Sequence, residues 1–235
     1  MSHRCWDRAI ARLSKTHRVI AYDLRGMGES DKPRSEYNFD EHASDLNDVL
    51  SELHVRDAVL VGWSMGCSVT LSYLQACGER AAGLVLLNGP IKLIATEDFP
   101  YGVDAEIYAA IYQDILEHWP EAEREFVAKY LAEPHPEHVD WFTRIALQTP
   151  LDVVLRVVDH QTRLDFRDYL KELAIPVMAM YGRLDPYYPS DIAKWIADRA
   201  PKGEYHIFEK SAHCPPIEEA AEFVDVLTSF AERCQ

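Results

Sequence analysis

No stretch of this 235-residue chain approaches the ~18 consecutive apolar residues needed to cross a membrane. The first residues, MSHRCWDRAIARLSK, lack the apolar core of a secretory signal. Basic clusters are missing too. Lys and Arg total 24 against 39 Asp and Glu, a formal net charge of −15, which makes phosphate backbones and anionic membrane surfaces poor partners. There is no CxxC pair. The five cysteines, Cys5, Cys67, Cys77, Cys214 and Cys234, are odd in number in a chain too large to need disulfide staples, so reduced thiols are expected. Internal repeats and low-complexity tracts are absent. These absences describe a cytoplasmic globular protein with no nucleic-acid and no membrane partner, and they leave its oligomeric state open.

What is present is an alternation of strand and helix signals. HRVIAYD (His17–Asp23), DAVLVG (Asp57–Gly62) and AGLVLLNG (Ala82–Gly89) read as strands. Asn38–His54 reads as an amphipathic helix, with Asp40 as its N-cap and Ala43, Leu46, Val49, Leu50 and Leu53 on one face. Another helix is expected from about Met65 to Cys77. The strands are almost wholly apolar rather than alternating, as in a parallel sheet buried on both faces. The rhythm stops between Pro90 and Leu173, where prolines punctuate four or five helices: Val103–Trp119, Glu121–Leu131, Pro136–Gln148, Leu151–His160 and Phe166–Leu173. It resumes with strands Ile175–Gly182 and Gly203–Phe208 and helices Ser190–Arg199 and Pro216–Arg233. The expectation is an α/β core (1–89 and 174–235), a mostly parallel sheet flanked by helices, with a helical cap (90–173) inserted between strands. Such a cap would cover the carboxyl ends of the strands, where parallel sheets bind ligands.

Gly62-Trp63-Ser64-Met65-Gly66 lies where a strand gives way to a helix. A serine on that tight turn lifts its Oγ clear of the backbone, and the amide of Met65, at the helix start, can donate to an oxyanion. Small residues at the two glycine positions let strand and helix approach closely. Serine needs a base, and the base an orienting acid. Asp185 follows a strand in MYGRLDPYYP, and His213 follows the last strand in FEKSAHCPPIEE. Taken alone, Asp185 beside Pro186 could be a turn former and His213 a solvated loop residue. The rival acid position after Ala82–Leu87 holds Asn88, which cannot hold an imidazolium by charge.

DLRGMGESDKP, VGWSMG, MYGRLDP and SAHCPPIEE occur in this order along most of the chain, and in this the sequence resembles the α/β-hydrolase fold family. The resemblance implies Ser64 as nucleophile, Asp185 as acid, His213 as base, the Met65 amide as one oxyanion donor, and 90–173 as the lid that shapes the substrate pocket. Two departures stand out. The strand and His-Gly-type loop that usually precede the segment matching CWDRAIARLSKTHRVIAYDLRG, and supply the second oxyanion amide, have no counterpart after Met1. A central strand is expected to be missing with them, and we expect about 25–40 further residues upstream, at ~5–6 residues per strand plus connections. Cys67 stands where many members have glycine and is expected to pack as a small apolar group.

Glu133, His135, His138 and Asp140 invite a metal reading, but Pro134 and Pro136 break the segment and no His-x-x-x-His helix is present, so a polar loop is expected. RGMGES lacks the ending of a phosphate loop, and Asp23, Arg25 and Ser30 are expected to brace a turn. Trp63, Tyr108, Trp119 and Trp141 are the aromatics expected to face substrate. The sequence therefore points to a cofactor-free, metal-free serine hydrolase of a small carboxylic ester, thioester or lactone. The alternatives are a haloperoxidase, perhydrolase or carbon–carbon bond hydrolase on the same triad. A non-catalytic ligand-binding member of the fold, or an inactive truncated form, is the reading from another class.

Overall fold

The structure, a computed structural model, describes residues 1–34 and 36–234. A 3-10 turn (His3–Trp6) leads into α1 (Asp7–Leu13). Then follow α2 (Phe39–Glu52), β1 (Ala58–Trp63), α3 (Met65–Ala76) and β2 (Ala81–Leu87). Four helices come next: α4 (Ala105–Glu117), α5 (Glu121–Ala128), α6 (Pro136–Ala146) and α7 (Leu151–Gln161). The chain ends with β3 (Val177–Gly182), α8 (Asp191–Ala197), β4 (Gly203–Phe208), α9 (Pro215–Glu218) and α10 (Ala220–Arg233).

The sheet is parallel, in the order β1-β2-β3-β4. Alternate residues of β2 and β3 enter different cores. Leu84, Leu86, Val177, Ala179 and Tyr181 pack with Leu46, Leu71 and Ile192 from α2, α3 and α8. Val85, Leu87, Met178 and Met180 pack with Ala9, Phe223, Leu227 and Phe230 from α1 and α10. Both faces are therefore buried, and this is why these strands carry no polar alternation. The chain belongs to the α/β class as expected, with helices on both faces of a parallel sheet.

Four expectations need correction. Residues 17–23 form no strand. The β-branched run is there, but no described strand lies beside it to complete a ladder, and Ile20 is 37% exposed. Val19, Ala21 and Tyr22 of this run and Val59 and Val61 of β1 line one cavity. The N-cap of α2 is Asn38, whose Oδ1 accepts from Glu41 N–H at 2.9 Å; Asp40 is the second residue of the helix. Phe166–Leu173 contracts to a 3-10 turn at Tyr169–Glu172. The closing helix is broken at Glu219, whose carboxylate is turned away to accept from Lys210 N–H (3.0 Å) and Ser211 Oγ–H (2.6 Å).

Candidate active site

β1 ends at Trp63 and α3 begins at Met65, so Ser64 makes the turn alone. It does so at φ 53°, ψ −123°, a conformation that residues bearing a Cβ rarely adopt. Two hydrogen bonds hold it there: Ser64 N–H donates to the Leu87 carbonyl and Cys67 N–H donates to the Ser64 carbonyl, each at 2.9 Å. The turn requires Gly62, because a Cβ there would stand 2.5 Å from the Gly66 carbonyl oxygen and 2.7 Å from Cys67 N. Gly66 is different. A Cβ added to it meets nothing within 4 Å, and the residue lines the cavity. The close approach expected of both glycines is thus enforced by Gly62. Cys67 is fully buried, its Sγ 3.1 Å from the Gly62 carbonyl, and burial pushes its thiol pKa far up. As the first residue of α3, Met65 has an amide with no helical carbonyl to bond.

His213 sits between β4 and α9, 2% exposed. Its Nδ1 lies 2.9 Å from Asp185 Oδ2. A carboxylate only accepts, so that bond places the proton on Nδ1 and leaves the Nε2 lone pair free. The loop is fixed from several directions. His213 N–H donates to the Tyr130 carbonyl (2.9 Å), and Trp63 Nε1–H donates to the His213 carbonyl (2.8 Å). Trp63, Tyr130 and Tyr187 pack on the imidazole with ring centroids 5.5, 5.1 and 5.0 Å away. Gly182 lets the loop lie against β3, since a Cβ there would stand 1.9 Å from the Ala212 carbonyl oxygen.

Asp185, whose side chain is wholly buried, accepts at Oδ1 from the amides of Tyr187 (2.8 Å) and Tyr188 (3.4 Å). At Oδ2 it accepts from Asn88 Nδ2 at 2.5 Å. Among the described residues neither the Ser64 hydroxyl nor His213 Nε2 has a hydrogen-bond partner, and both residues line one cavity of about 970 Å³. The structure therefore brings Ser64, Met65, Asp185 and His213 to one end of the sheet.

Trp63 and Tyr108 line that cavity. Trp119 is not among its lining residues, and Trp141 faces a separate shallow groove beside Arg4, Cys5 and His138. Trp119 lies in the turn between α4 and α5, and Trp141, on α6, packs against Phe142 with ring centroids 4.9 Å apart. Among the described residues no group of three or more His, Cys, Asp or Glu is placed to hold a metal ion. Asp23 and Ser30 brace their turn: Asp23 accepts from the amides of His3 (2.5 Å) and Glu29 (2.7 Å), and Ser30 Oγ–H donates to the Asp23 carbonyl (2.6 Å). Arg25 instead reaches α2, where it grips Asp45 through two bonds (2.6 and 2.5 Å) and Glu41 through one (2.6 Å).

Three further residues shape the site: Asn88, which the sequence marks only as the occupant of a rival acid position, Glu218 and Glu123. Glu218 accepts at Oε2 from the amides of Ala212 (2.9 Å) and Cys214 (3.3 Å), on either side of His213, and at Oε1 from Ala132 (2.7 Å). Its signal was an acid in the first turn of a helix that opens with Pro215 and Pro216, which have no N–H to offer it. The third is Glu123, on the cavity wall.

Comparison with known proteins agrees with this fold. The sequence profile described as "Alpha/beta hydrolase family" matches residues 1–226. A pimeloyl-[acyl-carrier protein] methyl ester esterase of Vibrio atlanticus is 27% identical over 243 residues, covering 99% of this chain and 91% of that protein. A non-heme chloroperoxidase of Kitasatospora aureofaciens is 30% identical over 216 residues, covering 88% of this chain and 78% of the relative. Among solved structures, an esterase from Exiguobacterium antarcticum superposes with a TM-score of 0.93 at 25% identity, covering 98% of this chain and 88% of that one.

Proposed function

The chain belongs to the alpha/beta hydrolase family, and on that premise we propose that it is a serine hydrolase that cleaves a small carboxylic ester, thioester or lactone through an acyl-enzyme on Ser64. The supporting observation is the strained Ser64 turn opening into the same cavity as His213, whose Nδ1 is held by Asp185. In this reading His213 Nε2 takes the Ser64 hydroxyl proton as Oγ attacks the carbonyl carbon. The tetrahedral oxyanion is met by the Met65 amide. Collapse expels the alcohol, which takes the proton from His213, and a water deprotonated by His213 then releases the acid. The helices between β2 and β3 act as the cap, since Tyr108, Glu123, Phe126 and Tyr130 bring them to the cavity wall.

The test is steady-state hydrolysis of short-chain p-nitrophenyl and methyl esters by the wild type, Ser64→Ala and Asp185→Asn. Loss of at least ~10³-fold in both variants is expected. Wild-type turnover that survives in Ser64→Ala would sink the proposal. A second reading follows from the relatives named as chloroperoxidases. If hydrogen peroxide rather than water attacks the acyl-enzyme, a peracid leaves. Adding peroxide to the same assay, with monochlorodimedone and bromide as reporter, tells the two readings apart.

A further inference from the structure

The inward face of α5 carries Glu123, Phe126, Val127 and, just past its end, Tyr130, at i, i+3, i+4 and i+7 spacing, and of these Glu123, Phe126 and Tyr130 line the cavity while Val127 is buried in the core. Three of the four positions are apolar or aromatic. The fourth is a carboxylate, 9% exposed, with no hydrogen bond and no ion pair among the described residues. A binary pattern puts an apolar residue there, and an unpaired carboxylate in such a place costs several kcal/mol. Its neighbours are rings. Phe126 and Tyr187 pack at a tilt of 39° with centroids 4.7 Å apart, Phe126 and Tyr130 meet edge-on at 5.6 Å, and Tyr130 and Tyr187 at 6.0 Å. Tyr130 and Tyr187 in turn pack on His213.

We propose that Glu123, Phe126, Tyr130 and Tyr187 form a subsite for a cationic, ammonium-bearing group of the substrate, on the cap side of the Ser64 cavity. Ring faces around a carboxylate are what an alkylammonium needs: quadrupole attraction on the walls and one counter-charge to offset its desolvation. The protein's net charge of −15 draws cations toward it. Burial pushes the Glu123 carboxyl up to about 7. The Tyr130 and Tyr187 phenols and the Met1 ammonium reach it. A bound ammonium would hold the carboxyl ionised.

The inference rests on the hydrolase reading only for the position of the reacting carbonyl. Acetylcholine and its uncharged isostere 3,3-dimethylbutyl acetate are compared by kcat/KM in the wild type, Glu123→Gln and Glu123→Leu. The ratio of the two esters within each protein is the readout, so a general loss of activity cancels. The wild type is expected to favour the cation by about tenfold, and the ratio to fall toward one in both variants. Calorimetric binding of butyltrimethylammonium to the wild type and to Glu123→Gln gives a readout without turnover. Binding weakened about tenfold in the variant supports the subsite even if neither ester is cleaved, a result that would count against the hydrolase and not the subsite. An equal rate on both esters, or a preference that persists without Glu123, together with no Glu123-dependent binding of the cation, would overturn it while leaving the hydrolase intact.

Discussion

Asn88 donates its side-chain N–H to Asp185 Oδ2 at 2.5 Å, the same oxygen that faces His213 Nδ1, and donates a second time to the Ala212 carbonyl at 3.2 Å. The residue at the end of one strand thus fixes both the acid and the base of the proposed triad. Its own backbone sits at φ 42°, which asparagine tolerates better than most residues. Asn88→Gly keeps that backbone and removes the amide. It is expected to lower kcat about tenfold, with KM little changed, because the bond acts through the imidazole's orientation. Steady-state kinetics against a neutral p-nitrophenyl ester would show it. A fall confined to KM would contradict a positioning role.

Glu218 holds the same loop from outside. Three amides lose their acceptor in Glu218→Ala, two of them flanking His213. A destabilisation of ~2–4 kcal/mol is expected, with a Tm several degrees lower and a further drop in kcat. Glu218→Gln, which keeps one carbonyl acceptor, should recover part of both. Thermal melts and rates on the two variants check this.

The two glycines of the elbow should separate cleanly. Gly62→Ala forces a Cβ onto backbone atoms 2.5–2.7 Å away, with no flexible side chain to yield. We expect at least ~3 kcal/mol of destabilisation or no folded protein. Gly66→Ala adds a methyl to open cavity in a helix and should gain ~0.5–1 kcal/mol, with altered substrate range because the methyl enters the pocket. Denaturant unfolding of the pair provides the comparison.

His42 makes the fold acid-sensitive. It is fully buried on α2, both ring nitrogens without partners, and burial lowers its pKa from 6.5 to about 4. Between those values the unfolded chain takes up a proton that the folded chain refuses. Stability should therefore fall as the pH drops from about 6.5 to about 4, by ~3 kcal/mol in all. His42→Leu should flatten this part of the profile. An unchanged slope in urea unfolding across that range would show that another group is responsible.

Much of the molecule could be read from residue patterns because much of it is set by local burial. β2, β3 and the helices between them announce themselves by apolar runs and 3.6-residue periodicity, and the Ser64 elbow by two glycines at a strand end. What stayed hidden depends on partners. His17–Asp23 has the composition of a strand, yet a strand exists only beside another. Trp119, in the turn after α4, and Trp141, on α6, look like pocket residues until the segments that carry them are placed. Asn88 and Glu123 are informative for the opposite reason. Each is a buried polar residue, and Asn88 proves to bond Asp185 while Glu123 proves to line the cavity.

The most direct test of the Ser64 nucleophile is the intact mass of the protein before and after a fluorophosphonate probe, with Ser64→Ala in parallel. A working elbow predicts one adduct on the wild type and none on the variant. No adduct on folded wild-type protein, or an equal adduct on Ser64→Ala, would contradict it.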